Sequence, residues 1–490
     1  QVSPHRLSKS SEEMSAYSNL FGLLVLLAAS PAAAFVNPMV ANRPREQPSE
    51  PPSVASASGA DVAAAAAPTA VSAADEGAVA PPTAIPGAAS SAGPIVVIPL
   101  DKQYVPVVRN NKTVSYKTAY FGKIFLGTPQ QDFTVVFDTG SGHVFLPSAT
   151  CDTETCMRHR RYDRKASGSS VDLDHEGRQV RPDATERDQV AIAYGTGEVT
   201  GEFVRETLCL AKHSELPVTG ESQDCVRIRV ITATEMTPEP FNTFHFDGVL
   251  GLGLDSLAVD PEFSFFGQMA KLNNLQNALF GYFLSRSDSV ASEISFGGHD
   301  ERRISSELAW TPVHQPELGF WQVKVKRVSV AGEALPLCED GECVAIADTG
   351  TSLLGAPRQV SQRLHWLLAR KVPENPSEID CRTFPGPDLV FELEGGVTIT
   401  LGPEDYSRAT AMRVLQKANN NSQVICRASL LPVDDGEVLG PKAWILGEPV
   451  LRKYYTAYDW TNRRIGFAPA VQPADPEADS VARHTIIGAP

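Results

Sequence analysis

The tripeptide Asp-Thr-Gly occurs twice in this chain of 490 residues, beginning at Asp138 and at Asp348. Each copy ends an apolar run, and each is followed by a hydroxyl residue, Ser141 or Thr351. At average residue usage, two copies in one chain are roughly a one-in-two-hundred accident. The repeat therefore predicts that two carboxylates are brought face to face.

Two carboxyl groups within hydrogen-bonding distance cannot both ionise easily, so one stays protonated while the other acts as a base. A water between them can lose a proton to the base while the acid polarises a carbonyl group. Such a pair would hydrolyse a peptide bond without metal, cofactor or covalent intermediate. The hydroxyls of Ser141 and Thr351 could each hydrogen-bond the neighbouring aspartate. An ordinary turn is the alternative reading of any single copy.

The elements that must hold these loops are predicted to be strands. From Ile95 onward the chain consists of short β-branched and aromatic runs separated by Gly and Pro, which is typical of an all-β protein. Helical patterns are few, and the clearest are residues 262–279 and 359–371. We therefore expect the two Asp-Thr-Gly elements on loops between strands.

A weak internal repeat accompanies the two loops. Val249 and Leu250 precede Gly251 in the first half, and the equivalent triplet of the second half ends at Gly447. A glycine in this setting permits close packing of one backbone segment against another. Each half thus consists of an acidic turn followed much later by an apolar pair and a glycine, and each triplet alone is weak evidence.

The N-terminal part has the composition of targeting and spacer segments. Residues 14–34 contain an apolar run followed by small residues, which predicts a signal peptide; a signal anchor or a small buried helix is the alternative. Residues 35–106 are assigned to an Ala/Pro-rich disordered propeptide or spacer, and 471–490 to a loose tail. A two-part plastid leader is a further alternative, which the acidic residues of the spacer fit poorly. No other run could span a bilayer, so we expect a mature form that does not cross the membrane.

Charge and cysteine content restrict the partners and the compartment. A formal net charge of −15 argues against a nucleic-acid partner. Eight cysteines behind a secretory leader favour disulfides. Their positions suggest the pairs Cys151 with Cys156, Cys209 with Cys225, Cys338 with Cys343, and Cys381 with Cys426. A zinc site of Cys151, Cys156 and His159 is the alternative, but no second cluster with zinc-like spacing accompanies it, so we predict no metal. Glycosylation sequons at Asn111 and Asn420 give mild support to the secretory route.

The order and rough spacing of the motifs over residues 107–470 resemble the pepsin-like aspartic proteases. The matching runs are 120–122, 126–131, 133–141, 146–148, 194–197, 246–252, 347–354, 444–447, 454–455 and 464–469. The resemblance implies a bilobal all-β fold with a peptide-binding cleft between two pseudo-symmetric lobes. The N-terminal lobe would be residues 107–309 with Asp138, and the C-terminal lobe residues 310–470 with Asp348.

The resemblance also implies roles for individual residues. Asp138 and Asp348 would be the catalytic pair, and Phe246 and Val249 would line an apolar substrate pocket, although core packing explains them nearly as well. The supporting residues of the two loops would be Thr139, Gly140, Ser141, Thr349, Gly350 and Thr351. A mobile flap would consist of Tyr194, Gly195, Thr196 and Gly197. Three cysteine pairs match the bridges of that family, and Cys209 with Cys225 is additional.

The implied function is that of a monomeric, cofactor-free endopeptidase acting at acidic pH on polypeptides, with apolar or aromatic residues near the scissile bond. The implied location is an acidic vacuole or lysosome-like compartment, or the exterior. A catalytically silent peptide-binding protein of the same fold is the main alternative, although both aspartates and the flap motif are retained. A secreted glycan-binding or inhibitor-binding β protein would not explain the paired loops.

Several positions depart from the pattern of that family. Phe145 stands where a tryptophan usually donates a hydrogen bond to the flap tyrosine. His143 is expected either to add a titrating charge near the cleft or to be a partly exposed loop residue without a role. Residues 157–189 form a longer, charged insertion. The basic prosegment is not recognisable, although residues 98–102 could be a vestige of it, and we expect the mature chain to begin near Val107.

Overall fold

Strands with buried apolar residues organise the chain from Val96 onward. The computed structural model describes residues 95–472, except for residues 110–111, 182–183, 185, 195–196, 215–221, 273–274, 374–378, 416–421, 435 and 437–438. The predicted signal peptide, the spacer before residue 95 and the tail after residue 472 lie outside the described residues. So do Asn111 and Asn420 of the two sequons.

The first half of the described chain contains twelve strands. They are β1 Val96–Arg109, β2 Lys112–Leu126, β3 Gln131–Asp138, β4 Val144–Pro147, β5 Val171–Leu173, β6 Gln189–Tyr194, β7 Gly197–Cys209, β8 Cys225–Met236, β9 Gly248–Gly251, β10 Leu279–Phe283, β11 Ser292–Phe296 and β12 Ala309–Pro312. Two helices lie among them, α1 Glu154–Met157 and α2 Phe265–Lys271.

The second half of the described chain also consists mainly of strands. Its described strands are β13 Gln322–Val330, β14 Glu333–Ala334, β15 Val344–Ala347, β16 Leu354–Pro357, β17 Arg370–Lys371, β18 Leu389–Leu393, β19 Thr398–Leu401, β20 Met412–Leu415, β21 Ser422–Cys426, β22 Leu430–Val433, β23 Ala443–Leu446, β24 Tyr454–Asp459 and β25 Arg464–Pro469. Its described helices are α3 Arg358–Leu367, α4 Pro403–Tyr406 and α5 Glu448–Leu451.

Fourteen described strands form the largest sheet, in the spatial order β12, β25, β24, β10, β11, β1, β2, β3, β9, β4, β8, β7 and β5, with β6 paired to β7. A second sheet of eight runs β19, β18, β13, β15, β23, β16 and β22, with β14 paired to β13, and a third runs β17, β21 and β20. The first sheet carries Asp138 and the second leads into Asp348. The all-β, two-lobed fold that the sequence predicts is therefore confirmed.

The last two strands return to the sheet of the first lobe. β24 pairs with β10, and β25 pairs with β24 and with β12. Phe280 of β10 stacks on Tyr458 of β24 with ring centroids 4.6 Å apart, and both rings are fully buried. This shared sheet joins the two halves of the chain through a common apolar core, which holds the two acidic loops on one framework.

Residues 96–106 differ from the prediction of a disordered spacer. They belong to β1, which pairs with β11 through residues 96–100 and with β2 from Asp101 onward. Ile98 and Leu100 point into the core and are 5% and 2% exposed, and the alternate residues Val97 and Pro99 are exposed. This alternation is a strand signal, but the preceding Ala/Pro-rich composition masked it because the apolar run is short.

The two predicted helices are shorter than expected. The first begins at Phe265, where the Ser264 hydroxyl accepts a hydrogen bond from the Gly267 amide, and it ends at Lys271. The second ends at Leu367, because Arg370 and Lys371 pair with β21 as a strand. Local periodicity continues past both helix ends, and tertiary pairing overrides it.

The four cysteine pairs that the sequence suggests are disulfides: Cys151–Cys156, Cys209–Cys225, Cys338–Cys343 and Cys381–Cys426. The ring of His159 faces the carbonyl oxygen of Phe241 at 3.2 Å. The alternative zinc site is therefore wrong, because its two thiols are used in a disulfide. None of the helices in the described ranges has the length and apolar character needed to cross a membrane.

Candidate active site

Each Asp-Thr-Gly element leaves the end of a buried strand that pairs in parallel with a second strand. Asp138 ends β3 and lies opposite Gly251 of β9. Asp348 directly follows β15, whose last residue, Ala347, lies opposite Leu446 of β23. The two halves thus present their carboxylates in the same local topology.

The glycine of each apolar triplet allows the close backbone packing that the sequence predicts, and the segment it packs against is the neighbouring acidic loop. A Cβ on Gly251 would lie 2.5 Å from the amide nitrogen of His143. A Cβ on Gly447 would collide with the carbonyl oxygens of Thr351 and Leu353. Backbone hydrogen bonds form where the segments come close. One of them runs from the Leu252 amide to the Asp138 carbonyl at 2.7 Å. Any side chain at these glycines would push the acidic loops away from their supports.

The two loops are tied to each other by their threonines. The amide of Thr139 donates to Oγ1 of Thr349 at 3.0 Å, and the amide of Thr349 donates to Oγ1 of Thr139 at 3.0 Å. Each hydroxyl then donates across to the other half, Thr139 to the Ala347 carbonyl at 2.8 Å and Thr349 to the Phe137 carbonyl at 2.7 Å. Both threonines are buried. The four bonds fix the distance between the two loops.

The carboxyl groups of Asp138 and Asp348 lie close enough to influence each other's ionisation. Oδ1 of Asp138 accepts from the Gly140 amide at 2.9 Å, and Oδ1 of Asp348 accepts from the Gly350 amide at 2.8 Å. Both glycines are needed for the approach, because a Cβ on Gly140 would lie 2.9 Å from Oδ1 of Asp348 and one on Gly350 would lie 2.5 Å from Oδ1 of Asp138.

Burial raises the pKa of both carboxyl groups. For Asp348, burial and then the charge of Asp138 raise the pKa to about 7, against the hydrogen bonds from Thr351 and the Gly350 amide. For Asp138, burial raises the pKa, and the hydrogen bonds of Ser141, Gly140 and Asp348 oppose the rise. The pair therefore holds one proton in mildly acidic solution, with Asp348 as the more basic site.

The hydroxyl groups of Ser141 and Thr351 differ in their hydrogen bonds to the neighbouring aspartates. Oγ1 of Thr351 donates to Oδ2 of Asp348 at 2.5 Å, as expected from the sequence. Ser141 lies close enough to favour the charged form of Asp138, but its buried hydroxyl is not aligned for a hydrogen bond to any described residue. The pair is thus asymmetric, because only one outer oxygen has an aligned donor.

Tyr194 ends β6 and lies opposite Gly197 at the start of β7. This is the predicted flap hairpin, of which Gly195 and Thr196 lie outside the described residues. The Tyr194 ring packs against Phe145 with centroids 4.8 Å apart. Its buried hydroxyl has no hydrogen-bond partner among the described residues. Burial, and then the nearby charge of Asp138, raise the pKa of Tyr194 above its usual value. Phe145 thus supplies packing but no donor to the flap.

The predicted pocket residues lie in an apolar cluster that also contains Tyr194 and Phe145. Phe246 stacks on Phe244 with ring centroids 5.4 Å apart. Val249 lies opposite Val136 of β3, two positions before the residue that faces Asp138. Both predicted residues are at least nine-tenths buried, at 7% and 6% exposed. Their packing role is visible, and their substrate role stays a prediction.

His143 is not the exposed loop residue that the sequence allows. Its side chain is completely buried, and Nε2 accepts a hydrogen bond from the Val259 amide at 2.9 Å. Burial lowers the pKa of His143 to about 4. The expectation that His143 is partly exposed is therefore wrong. The sequence gives no signal for this burial, because the residues that cover the ring come from more than a hundred positions away.

Two contacts near Asp348 were missed at the sequence level. The Tyr120 hydroxyl donates to Glu448 at 2.7 Å, and the Glu448 amide donates to the Thr351 carbonyl at 2.9 Å. The hydroxyl of Ser352 donates to the Thr118 carbonyl at 2.7 Å. These bonds fasten the second acidic loop to β2 of the first lobe. Tyr120 and Ser352 lie in matched motifs, but no local pattern indicates their partners.

The charged insertion is anchored to β7. Arg164 and Arg187 both face Asp172, with contacts of 2.8 and 3.0 Å, and they also lie near Glu202. The fully buried Glu206 accepts hydrogen bonds from neutral donors, among them Tyr162 at 2.5 Å. The insertion is therefore partly integrated into the first lobe rather than being wholly a solvated loop.

Comparison with known proteins matches this architecture. The profile of the family described as eukaryotic aspartyl protease matches residues 119–470. The chain is 33% identical over 357 residues to cathepsin E of Aquarana catesbeiana, covering 72% of this chain and 79% of that protein. It is 33% identical over 357 residues to pepsin A of Canis lupus familiaris, covering 71% and 81%. It is 33% identical over 370 residues to renin of Rattus norvegicus, covering 74% and 82%.

Proposed function

Because the chain belongs to the eukaryotic aspartyl protease family, we propose that it is an endopeptidase in which Asp138 and Asp348 activate a water molecule at acidic pH. Hydrolysis of peptide bonds in polypeptides follows from membership of the family. The assignment of the chemistry to these two residues is supported by one observation above all. Their buried carboxyl groups face each other from two loops that the threonine pair holds together, so that a Cβ on the glycine of either loop would lie within 2.9 Å of the opposite carboxylate.

The proposed mechanism uses the single proton that the pair retains. The ionised carboxylate, assigned to Asp138, takes a proton from water while protonated Asp348 donates a hydrogen bond to the substrate carbonyl. The resulting hydroxide attacks the carbonyl carbon and forms a tetrahedral intermediate. Proton transfer to the leaving nitrogen then allows the C–N bond to break and returns the pair to its single-proton state. No metal or covalent intermediate is required.

The proposed substrate is an extended polypeptide with apolar or aromatic residues near the scissile bond. This preference is supported by the apolar side chains of Phe246 and Val249 and by the ring of Tyr194, which belong to the same cluster beside Asp138. Closure of the hairpin over bound peptide would exclude water from the reacting groups. We assign the enzyme to the secretory route, in an acidic compartment or outside the cell, and we expect it to act as a monomer.

Maturation is proposed to leave β1 in place. Cleavage near Val107 would divide a strand whose residues 96–100 pair with β11 and whose residues 101–109 pair with β2. Removal of a spacer that ends before Ile95 fits the pairing better. Sequencing the N-terminus of the active enzyme tests this point, and an N-terminus near Val107 would contradict it.

The decisive experiment is cleavage of a mixed-sequence peptide library between pH 3 and pH 7. Asp348→Asn and the family inhibitor pepstatin should abolish the cleavage. Asp152→Asn, the same change at an exposed aspartate, should leave it unchanged. Folded wild-type protein, freed of the spacer, that cleaves nothing at any pH would favour the silent peptide-binding alternative.

A further inference from the structure

His143 has the contacts of a side chain that holds two segments together. It lies five positions after Asp138, and its buried Nε2 accepts the Val259 amide at 2.9 Å. The ring packs against Phe263 with centroids 5.4 Å apart. Because Nε2 accepts a hydrogen bond, the ring is neutral and carries its proton on Nδ1. Nδ1 has no hydrogen-bond partner in the described part of the chain.

The segment that His143 holds, residues 255–259, lies between the surroundings of the two aspartates. On one side Gly142 approaches it so closely that a Cβ there would lie 2.6 Å from the carbonyl carbon of Leu257. On the other side the Ser256 hydroxyl donates to the Pro316 carbonyl at 2.9 Å. The Leu257 side chain belongs to an apolar cluster with Ile346, two residues before Asp348. A displacement of this segment would therefore reach both acidic loops.

We propose that neutral His143 is a positioning residue, which holds the Asp138 loop against residues 255–259 and so keeps Asp138 aligned with Asp348. The proposal rests on the proposed function, because alignment of the two carboxyl groups matters only if they react together. His143 itself does not touch the reacting atoms. It acts through the Val259 hydrogen bond and the contact of Gly142 with Leu257.

Protonation of His143 would turn its hydrogen bond with the Val259 amide into a repulsive contact. A proton on Nε2 would place two N–H groups face to face, so the Val259 amide would lose its acceptor while buried. The new charge would also be buried among apolar groups, with Phe263 against the ring. The positioning role is therefore confined to the neutral ring.

The charged groups around the ring are already paired. On the segment that carries Phe263, Glu262 is bonded to both Arg205 and Arg229 at 2.8 Å. Arg229 also faces Asp260 at 3.9 Å and lies over the Phe263 ring at 5.6 Å.

Two further acidic groups belong to neighbouring elements. Asp255 is paired with Lys271 at 2.9 Å, and Asp138 lies on the same loop as His143 and faces Asp348. Burial alone lowers the pKa of His143 to about 4, and none of these groups opposes the shift. The interaction is therefore expected to weaken at the acidic end of the working range.

The test compares two substitutions across pH. His143→Gln places a non-titrating amide oxygen near the position of Nε2, whereas His143→Leu removes the acceptor. We expect kcat of the Leu variant to fall at least tenfold at pH 5, with KM changed by less than threefold, and Gln to restore most of kcat. We also expect the acidic decline of kcat near pH 4 to move to lower pH in the Gln variant, while the decline toward neutral pH stays in place. His175→Gln, at an exposed histidine of the insertion, should retain the wild-type profile.

A readout independent of activity separates this proposal from the proposed function. The protection of the peptide containing Val259 against hydrogen exchange, relative to the intrinsic exchange rate at each pH, should fall below pH 4 in wild type but not in the Gln variant. If kcat declines at the same acidic pH in wild type and Gln variant, and the Val259 peptide is equally protected against exchange in both, the role of His143 is overturned. This holds even if the enzyme is an active protease. Loss of cleavage in wild type, with the exchange difference present, would instead overturn the proposed function. If the Leu variant does not fold, the Gln comparison alone decides.

Discussion

The amide of Thr139 donates to the hydroxyl oxygen of Thr349, and the amide of Thr349 donates back to Thr139, each at 3.0 Å. The two residues are 210 positions apart in the chain. Because each hydroxyl also donates to a carbonyl of the opposite half, the hydroxyls and amides of these two threonines all have hydrogen-bond partners. The relative position of the two acidic loops is therefore set by hydrogen bonds.

Replacement of Thr349 by Val should separate the loops. The isosteric change leaves the buried Thr139 amide without its acceptor and the Phe137 carbonyl with only the longer bond from the Tyr282 hydroxyl at 3.4 Å. We expect a loss of about 2 to 4 kcal/mol in the free energy of unfolding and at least a tenfold fall in kcat. Denaturant unfolding and peptide cleavage measure the two effects. Thr349→Ser should restore most of both, and Thr398→Val, at an exposed threonine, should change neither; a Val variant with wild-type stability would contradict this account.

Alanine at Gly140 should push the two carboxyl groups apart without unfolding the lobe. Its Cβ would lie 2.9 Å from Oδ1 of Asp348. Rotation of the Asp348 side chain can relieve the clash, so we expect a loss of no more than about 2 kcal/mol in stability, but a fall in kcat of about a hundredfold or more. Gly436→Ala is the matched control, because a Cβ there meets no atom of a described residue within 4 Å. Full activity of the Gly140→Ala enzyme would show that the close approach of the carboxyl groups is not required.

The raised pKa of Asp348 makes stability depend on pH. The folded state binds this proton more tightly, with a pKa of about 7 against 3.8 for an unperturbed aspartate. The contribution is therefore complete below pH 4 and is lost as the pH rises toward 7. We expect Asp348→Asn to unfold at the same denaturant concentration as wild type at pH 3, but to be more stable by up to a few kcal/mol at pH 7. An equal difference at both pH values would rule out this proton as the cause.

Cleavage should decline as the pH rises through the folded pKa of Asp348, about 7. Loss of the shared proton there leaves no acid to polarise the substrate carbonyl. We expect kcat/KM to fall about tenfold per pH unit above the pKa of the pair, which the pH profile of the wild-type enzyme measures directly. A profile that is flat from pH 5 to pH 8 would contradict the single-proton mechanism.

The unpartnered hydroxyl of Tyr194 should be nearly dispensable for folding. It has no hydrogen-bond partner among the described residues, so Tyr194→Phe removes a buried polar group without breaking a bond there. We expect unfolding free energy to change by less than about 0.5 kcal/mol. Tyr162→Phe is the contrasting variant, because its hydroxyl donates to buried Glu206, and we expect it to lose about 2 to 3 kcal/mol. Equal losses in denaturant unfolding would mean that Tyr194 has a partner in the folded protein.

Tryptophan at Phe145 tests the same hydroxyl from the opposite side. The ring centroids of Phe145 and Tyr194 are 4.8 Å apart, so an indole at position 145 would bring an N–H donor into the surroundings of Tyr194. The larger ring is expected to cost about 1 to 3 kcal/mol through overpacking. In that background, Tyr194→Phe should cost about 1 kcal/mol more than it does beside Phe145, as a double-mutant cycle measures. A cycle with zero coupling would show that the two groups do not meet.

The sequence predicts much of the fold and the two acidic loops, because their signals are local. Asp138 and Asp348 each end an apolar run, and the glycine at 251 or 447 is marked by the apolar pair before it. The burial of His143 and the bond between Tyr120 and Glu448 depend on residues distant in sequence, and no short pattern indicates them. β1 was missed for a different reason, because a strand of alternating residues follows a long Ala/Pro-rich segment that dominates the local composition.

The central position of β1 has a consequence for solubility. Residues 96–100 hydrogen-bond to β11, while the rest of the strand hydrogen-bonds to β2. Loss of the strand would leave two facing edges of a large sheet with unpaired amide and carbonyl groups and would uncover the apolar residues beneath Ile98 and Leu100. Such edges pair readily with strands of other molecules, so an enzyme trimmed past this strand would be prone to aggregate. An intact N-terminal strand thus protects the protein from self-association.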